Sequence, residues 1–297
     1  MNSASKKAGL LKTLDGLEKI PTIPAALAPL LNYLQEPAED IDMQKVANLI
    51  SRDESLAAQC LRMANSPLFG HSKKMDSLRN AVLGLGFERI SAIAMSCGIL
   101  NILPPDRGID PVAFWEHSLG CALVSRHFAR RISFPDPGKA YLAGLLHDLG
   151  FVINLSALPR EFCAAYEFAR HAGVPLHEAE QSLLGFTHCD SGRWLAERWQ
   201  LSPELIEVVG LHHSPEEPRV HAGLVALVEV SDQLCRVGGL NYGYVEKREV
   251  NFSGQSAVAV LAQQCHELDD FDWARLTFEL DSCMNEVRTL VHAIYRP

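Results

Sequence analysis

The residues with chemistry to offer are histidines and aspartates strung along the last two thirds of a 297-residue chain. His147 and Asp148 adjoin at the end of the apolar run Tyr141-Leu142-Ala143-Gly144-Leu145-Leu146. A histidine and a carboxylate at the buried end of a helix are costly unless they pair or bind a metal. An imidazole nitrogen beside a carboxylate suits a divalent transition metal. His117 lies one helix earlier, in Phe114-Trp115-Glu116-His117-Ser118, and His188 stands at a helix start, in Gly185-Phe186-Thr187-His188-Cys189-Asp190. His212 and His213 end an apolar helix before Ser214-Pro215, and Asp232 falls inside the apolar run Leu224 to Leu234. Singly, each has an ordinary account: a histidine at a helix C-terminus, a satisfied half-buried imidazole, an aspartate paired with an arginine. Together, each at an element end or within an apolar helix, they form a candidate metal site.

The elements that must position them are helices. In Val112 to Arg131 the residues Phe114, Leu119, Ala122, Leu123 and Phe128 recur on one face, with Pro111 suited to the first turn. Phe134-Pro135-Asp136-Pro137-Gly138 breaks that helix, and Lys139 to Leu149 begins another. Upstream, Pro21 and Pro24 bracket a helix start before Ala25 to Leu34. Further helices are expected over Asp40 to Ser51, Asp53 to Asn65, Ser77 to Leu83 and Phe87 to Leu100, with a turn at Ser66-Pro67-Leu68-Phe69-Gly70. The segment Leu103-Pro104-Pro105-Asp106-Arg107-Gly108 has linker composition. It divides an N-terminal helical subdomain, residues 1–105, from a histidine-bearing helical domain, residues 106–297. No run alternates as strands do, apart from a short extended piece expected within Tyr242 to Phe252. The expected fold class is an all-α, multi-helix bundle.

Composition narrows the partners. The chain is 47% hydrophobic and 21% charged, with a formal charge of −9. Nucleic acid is disfavoured, because neutralising phosphates needs a basic face. The polar start, Met1 to Lys12, is not followed by a signal-peptide core. Apolar stretches such as Ile90 to Leu103 are interrupted, and no membrane span is expected. The eight cysteines are scattered without a CxxC pair, as in a reducing compartment. A cytoplasmic location follows as the expectation. Cys189, beside His188, is the cysteine nearest the chemistry, although core filling is the ordinary role.

The order His, His-Asp, His, His-His, Asp resembles the ligand pattern of the HD superfamily. In its metal-dependent phosphohydrolases the resemblance implies one ion at His117, His147, Asp148 and Asp232. A second ion is implied near His188, His212 and His213, with Asp148 bridging. Two such ions, ~3.5–4 Å apart, hold a hydroxide and clamp a phosphoryl group in line. Iron, manganese and zinc all suit these ligands. The first third resembles one branch of the superfamily, the HDOD proteins. The matching stretches are Ile20-Pro21-Thr22-Ile23-Pro24, Leu61-Arg62-Met63-Ala64-Asn65-Ser66-Pro67 and Leu78-Arg79-Asn80-Ala81-Val82-Leu83-Gly84-Leu85-Gly86. His177-Glu178-Ala179-Glu180 fits the same pattern, and the resemblance runs from about Leu17 to Leu240.

HDOD domains are regulatory modules of bacterial signalling, many of which lack the full ligand set; this chain keeps it. It departs from the HD-GYP cyclic-di-GMP phosphodiesterases. No Gly-Tyr-Pro follows His212-His213, Asn241-Tyr242-Gly243-Tyr244 is not that motif, and Phe151 stands where those enzymes usually carry a lysine. The expectation is a signalling module that keeps a site for one or two divalent ions and acts through a protein partner, with a phosphate-containing small molecule as a further candidate ligand. The alternative is a metal-dependent phosphohydrolase acting on a nucleotide or phosphate ester, with Arg126, Arg130, Lys139 or Arg193 supplying charge for the substrate. A metal or oxygen sensor ranks third.

Overall fold

The computed structural model describes residues 3–17, 21, 27–30, 43–67, 74–100, 108–217, 220–247 and 250–295. Among them every regular element is a helix. The chain divides into two compact units: Met1–Pro21 with Pro104–Met284, and Thr22–Leu103 with Asn285–Pro297. The first helix, α1 (Ser3–Asp15), belongs to the histidine-bearing unit, where Asp15 accepts from Trp194 Nε1 at 3.0 Å.

In the smaller unit the local chemistry of the sequence is visible residue by residue. The helix α2 covers Met43–Ile50. Asp53 caps α3 (Glu54–Ala64) by accepting from the Leu56 amide at 3.0 Å, as N-cap carboxylates do. Asn65 closes that helix and clamps the next turn. Its side chain donates to the Met75 carbonyl at 2.9 Å and accepts from the Met75 amide at 2.7 Å. Ser77 caps α4 (Leu78–Leu85), and Gly86 ends it at φ 81°, a left-handed value that suits glycine. The helix α5 (Phe87–Leu100) follows. The readings at Ile20, Thr22 to Pro24, most of Ala25 to Leu34, Leu68-Phe69-Gly70 and the Leu103 to Arg107 linker lie outside the described residues.

The larger unit carries α6 (Pro111–Arg131), α7 (Pro137–Leu146), α8 (Leu149–Ala157), α9 (Pro159–Ala172) and α10 (Leu176–Leu183). The helices α11 (His188–Arg198), α12 (Pro203–Leu211), α13 (Ala222–Val237) and α14 (Ser256–Ala262) follow, and α15 (Trp273–Tyr295) belongs to this unit as far as Met284. The helix expected from Lys139 stops at Leu146, and His147-Asp148 forms the junction to α8. Two glycines bring the site's helices together. A Cβ on Gly144 would lie 2.6 Å from the Cys121 carbonyl oxygen, so this glycine lets α7 meet α6. A Cβ on Gly150 would lie 1.9 Å from the His188 carbonyl oxygen, so α8 approaches the start of α11 only without a side chain there.

The extended piece expected within Tyr242 to Phe252 is not found among the described residues: Asn241–Tyr244 bends, and Phe252–Gly254 is a 3₁₀ turn. One 21-residue stretch, Pro137–Ala157, is long and apolar enough to cross a membrane. That stretch is 89% buried inside the protein, and the junction at His147-Asp148 interrupts it. No cysteine forms a disulfide, and six of the eight are buried.

Candidate functional site

Each predicted residue is delivered by the end or the inner face of a helix. His117 projects from the middle of α6, His147 closes α7, and Asp148 opens α8. His188 is the first residue of α11, whose start is held by a reciprocal Thr187–Asp190 capping box. His212 closes α12, and Asp232 faces inward from α13. His117, His147, His212 and Asp232 are fully buried, and Asp148 and His188 are 2% exposed.

Four imidazoles are oriented the same way. The Nδ1 of His117 meets the Leu240 carbonyl at 2.7 Å, that of His147 the Gly144 carbonyl at 2.7 Å, and that of His212 the Val208 carbonyl at 3.1 Å. A carbonyl only accepts, so each Nδ1 carries a proton, and in the neutral ring each Nε2 is left with a lone pair. His188 Nδ1 lies 2.6 Å from Glu180 Oε2, which also accepts from the His188 amide at 2.9 Å. Outer partners of this kind fix the rings of metal-binding histidines. The freed Nε2 atoms face one another in pairs, His117 with His147 at 3.3 Å and His188 with His212 at 3.3 Å.

Asp148 stands between the pairs. Its Oδ2 is 3.1 Å from His147 Nε2 and 3.8 Å from His117 Nε2. Its Oδ1 is 3.3 Å from His188 Nε2 and 3.6 Å from His212 Nε2, yet is buried with no hydrogen-bond partner among the described residues. Asp232 Oδ1 lies 3.1 Å from His117 Nε2. Burial opposes the charge on both carboxylates. His147, with His212 and His188, nevertheless holds Asp148 well below the usual carboxylate range, and Arg236, with His117, does the same for Asp232.

Donor atoms of three groups fall within 4.8 Å of one another: His117, Cys121, His147 and Asp232; His147, Asp148 and His212; and His188, Cys189, His212 and His213. His213 is the outlying member. Its Nδ1 is 3.9 Å from Asp232 Oδ2, its ring stacks on His177 at 3.9 Å, and its side chain is 11% exposed. A cavity of about 650 Å³ reaches His213 and Cys189 and is also bordered by Lys7, His177 and Arg193.

Four residues bear on the site without having been assigned a role from the sequence. Glu180 sits in a motif that the sequence shares with its family, but its task of turning His188 is set across eight residues and a helix boundary. Arg236 grips both oxygens of Asp232, its Nε donating at 2.8 Å to Oδ1 and its Nη2 donating to Oδ2. The i, i+4 spacing on α13 was the available signal. Tyr242 donates its hydroxyl to Asp148 Oδ2, and Cys121 Sγ lies 3.5 Å from His117 Nε2. Phe151 is fully buried, its ring 4.9 Å from those of His188 and Tyr242. Of the cations offered for a phosphate, Lys139 pairs with Glu204 at 2.7 Å, Arg193 with Glu197 at 3.0 Å, and Arg126 lies over the Tyr141 ring.

The comparisons with known proteins identify the family and the fold. The family model of the HDOD domain matches residues 20–215. An HDOD domain protein of unknown function from Geobacter sulfurreducens is 27% identical, and its crystal structure superposes over 100% of both chains with a TM-score of 0.85. A protein from Shewanella amazonensis SB2B, provisionally named a phosphohydrolase, gives a TM-score of 0.73 at 22% identity over 97% of this chain and 98% of that one. One from Marinobacter aquaeolei VT8, provisionally named a signal transduction protein, gives 0.75 at 21% over 100% of this chain and 67% of that one. The last two show likeness of fold alone. An uncharacterized protein of Treponema pallidum (strain Nichols) is 25% identical over 228 residues, 75% of this chain; the chain spans 43% of that protein's length. With more than half of its residues under one family model, the chain belongs to the HDOD domain family.

Proposed function

We propose that this chain is a regulatory HDOD module of bacterial signalling. In this reading its buried His–Asp cluster holds one or two divalent transition metal ions, and its output is contact with a partner protein in the cytoplasm. The observation that carries the reading is Asp148: a buried carboxylate set between two imidazole pairs whose Nε2 lone pairs face inward, with Oδ1 lacking any hydrogen-bond partner. Such an arrangement is unfavourable unless a cation completes it. His117, His147, Asp148 and Asp232 would hold one ion. His188 and His212, with Asp148, would hold a second, and His213 stands at the outer edge. Iron, manganese and zinc all match the donor set. When bound, a divalent ion supplies Lewis acidity and acidifies its water.

Three side chains favour regulation over turnover. A catalytic metal site keeps a coordination position open to water or substrate. Here Tyr242 donates to Asp148 Oδ2 and Arg236 to both oxygens of Asp232, competing with an ion for those lone pairs, and Phe151 packs an apolar ring against His188. Metal-dependent hydrolysis of a nucleotide or phosphate ester is the second reading. The observations in its favour are the bridging position of Asp148 and the 650 Å³ cavity at His213 and Cys189.

The deciding experiment is metal content by inductively coupled plasma mass spectrometry on untagged protein purified without chelator, followed by a phosphodiesterase assay with bis(p-nitrophenyl) phosphate. The expected result is one or two equivalents of metal, lost in a His147→Ala/Asp148→Ala variant, and no turnover. An absence of metal even after incubation with manganese, iron or zinc would refute the site. Turnover that disappears with the variant would replace the regulatory reading with the hydrolytic one.

A further inference from the structure

A second cavity, of about 400 Å³, shares His177 and His213 with the first and is otherwise lined by other residues. That volume is ordinary for a small-molecule site. Among the described residues three carboxylates line it, Glu216, Glu229 and Glu246, against one guanidinium, Arg236. The guanidinium is already committed. It grips both oxygens of Asp232 and donates through Nη1 to Glu246 at 2.6 Å. Among the described residues Glu229 is short of donors: Oε1 accepts from Gln233 Nε2 at 3.3 Å, while Oε2 is buried with no partner. His177 Nδ1, in the same lining, is also buried and without a partner. Burial first, then Asp232 and Glu216, lifts the Glu229 carboxyl to about 7 against the opposing pull of His212 and Arg236.

Part of the remaining wall is apolar, Pro175, Val237, Val245 and Val250, beside the polar Gln233, Asn241 and Ser256. Val237 and Val245 border the cavity and are 54% and 76% exposed, so an apolar surface stands in water beside the unpaired acid. A hydrated metal ion would make no use of that wall. An amine or guanidinium with a hydrocarbon body satisfies both features at once, through a charge-assisted hydrogen bond and through apolar burial.

We infer that this cavity binds a small organic cation, its charged head on Glu229 and its apolar body against Val237 and Val245. The site requires no metal in the neighbouring cluster, so it stands or falls independently of the function proposed above.

The test is isothermal titration calorimetry on the full chain at pH 8 with benzylammonium chloride, and with benzyl alcohol as the neutral counterpart. Benzylammonium is expected to bind saturably and the alcohol at least about tenfold more weakly, the weight of one charge-assisted hydrogen bond. Glu229→Gln is expected to cost the cation about tenfold while leaving the alcohol unchanged. Val237→Lys, at an exposed position, places a tethered ammonium at the cavity and is expected to abolish binding without altering Glu229. Circular dichroism melts confirm that each variant is folded. Equal affinity for amine and alcohol, an unchanged affinity in the folded Glu229→Gln protein, or no heat up to about 10 mM ligand would each overturn the assignment. So would binding of a lysine-bearing peptide where benzylammonium fails, since the site would then serve a polypeptide.

Discussion

The two halves of the cluster use the same residue types and end in different states. Around His117 and His147 the protein answers its own charges: Arg236 neutralises Asp232, and Tyr242 donates to Asp148 Oδ2. Around His188 and His212 it does not. Asp148 Oδ1 faces two imidazoles and has no hydrogen-bond partner, while Glu180 anchors His188 from outside. One carboxylate thus presents a satisfied oxygen to one pair and an unsatisfied one to the other. Because burying an unanswered charge is far more costly than burying an answered one, the His188/His212 half is where a cation brings the larger gain. The other half is stable as built.

The comparison can be broken at four points. The largest effect belongs to the shared carboxylate. Asp148→Asn is expected to remove all bound metal by mass spectrometry, and full retention would show that the halves do not depend on it. Arg236→Met comes next. It strands a buried Asp232, so urea melts of chelator-treated protein should lose about 3–5 kcal/mol. Added divalent metal should recover part of that loss by mass action. A loss below about 1 kcal/mol would mean that the satisfied half is not held by this pair.

Glu180→Gln acts only through His188. Outer partners of metal-binding histidines are worth about 10–100-fold in affinity, so competition against a chelating dye should weaken by that factor. Cys121→Ser, on the satisfied side, should change it little. The smallest effect is one turn from Asp232. Glu229 sits at about 7, well above its ordinary 4.5. The native protein therefore holds a proton there that the unfolded chain has released, and stability falls as pH rises from about 4.5 to 7. Glu229→Gln removes that slope. It should gain about 2 kcal/mol in urea melts at pH 8 and little at pH 5, the full linkage being reduced for partial exposure.

Much of the fold was legible because its causes are local. Asp53, Ser77 and the Thr187–Asp190 box cap helices within three residues of themselves. The periodicity around Phe114 and Leu123 marked α6 to within a residue. The expected extended piece near Tyr242 did not form, since Asn241-Tyr242-Gly243-Tyr244 bends, with Gly243 at φ 87°. The helix from Lys139 stopped early because His147 and Asp148 turn inward at a junction where periodicity alone would carry it on.

The sequence by itself determined which side chains were available, the helical frame, and the placing of His147, His188 and His212 at helix ends, because capping and periodicity act within a turn or two. Only the tertiary structure decided which lone pairs meet. His117 takes its orientation from a carbonyl 123 residues away, and Asp148 receives a hydroxyl from 94 residues away. Among the described residues the same packing left Asp148 Oδ1 without a donor. Contacts at such separations depend on how the helices pack, through close approaches such as that at Gly150, and no local window of sequence contains them.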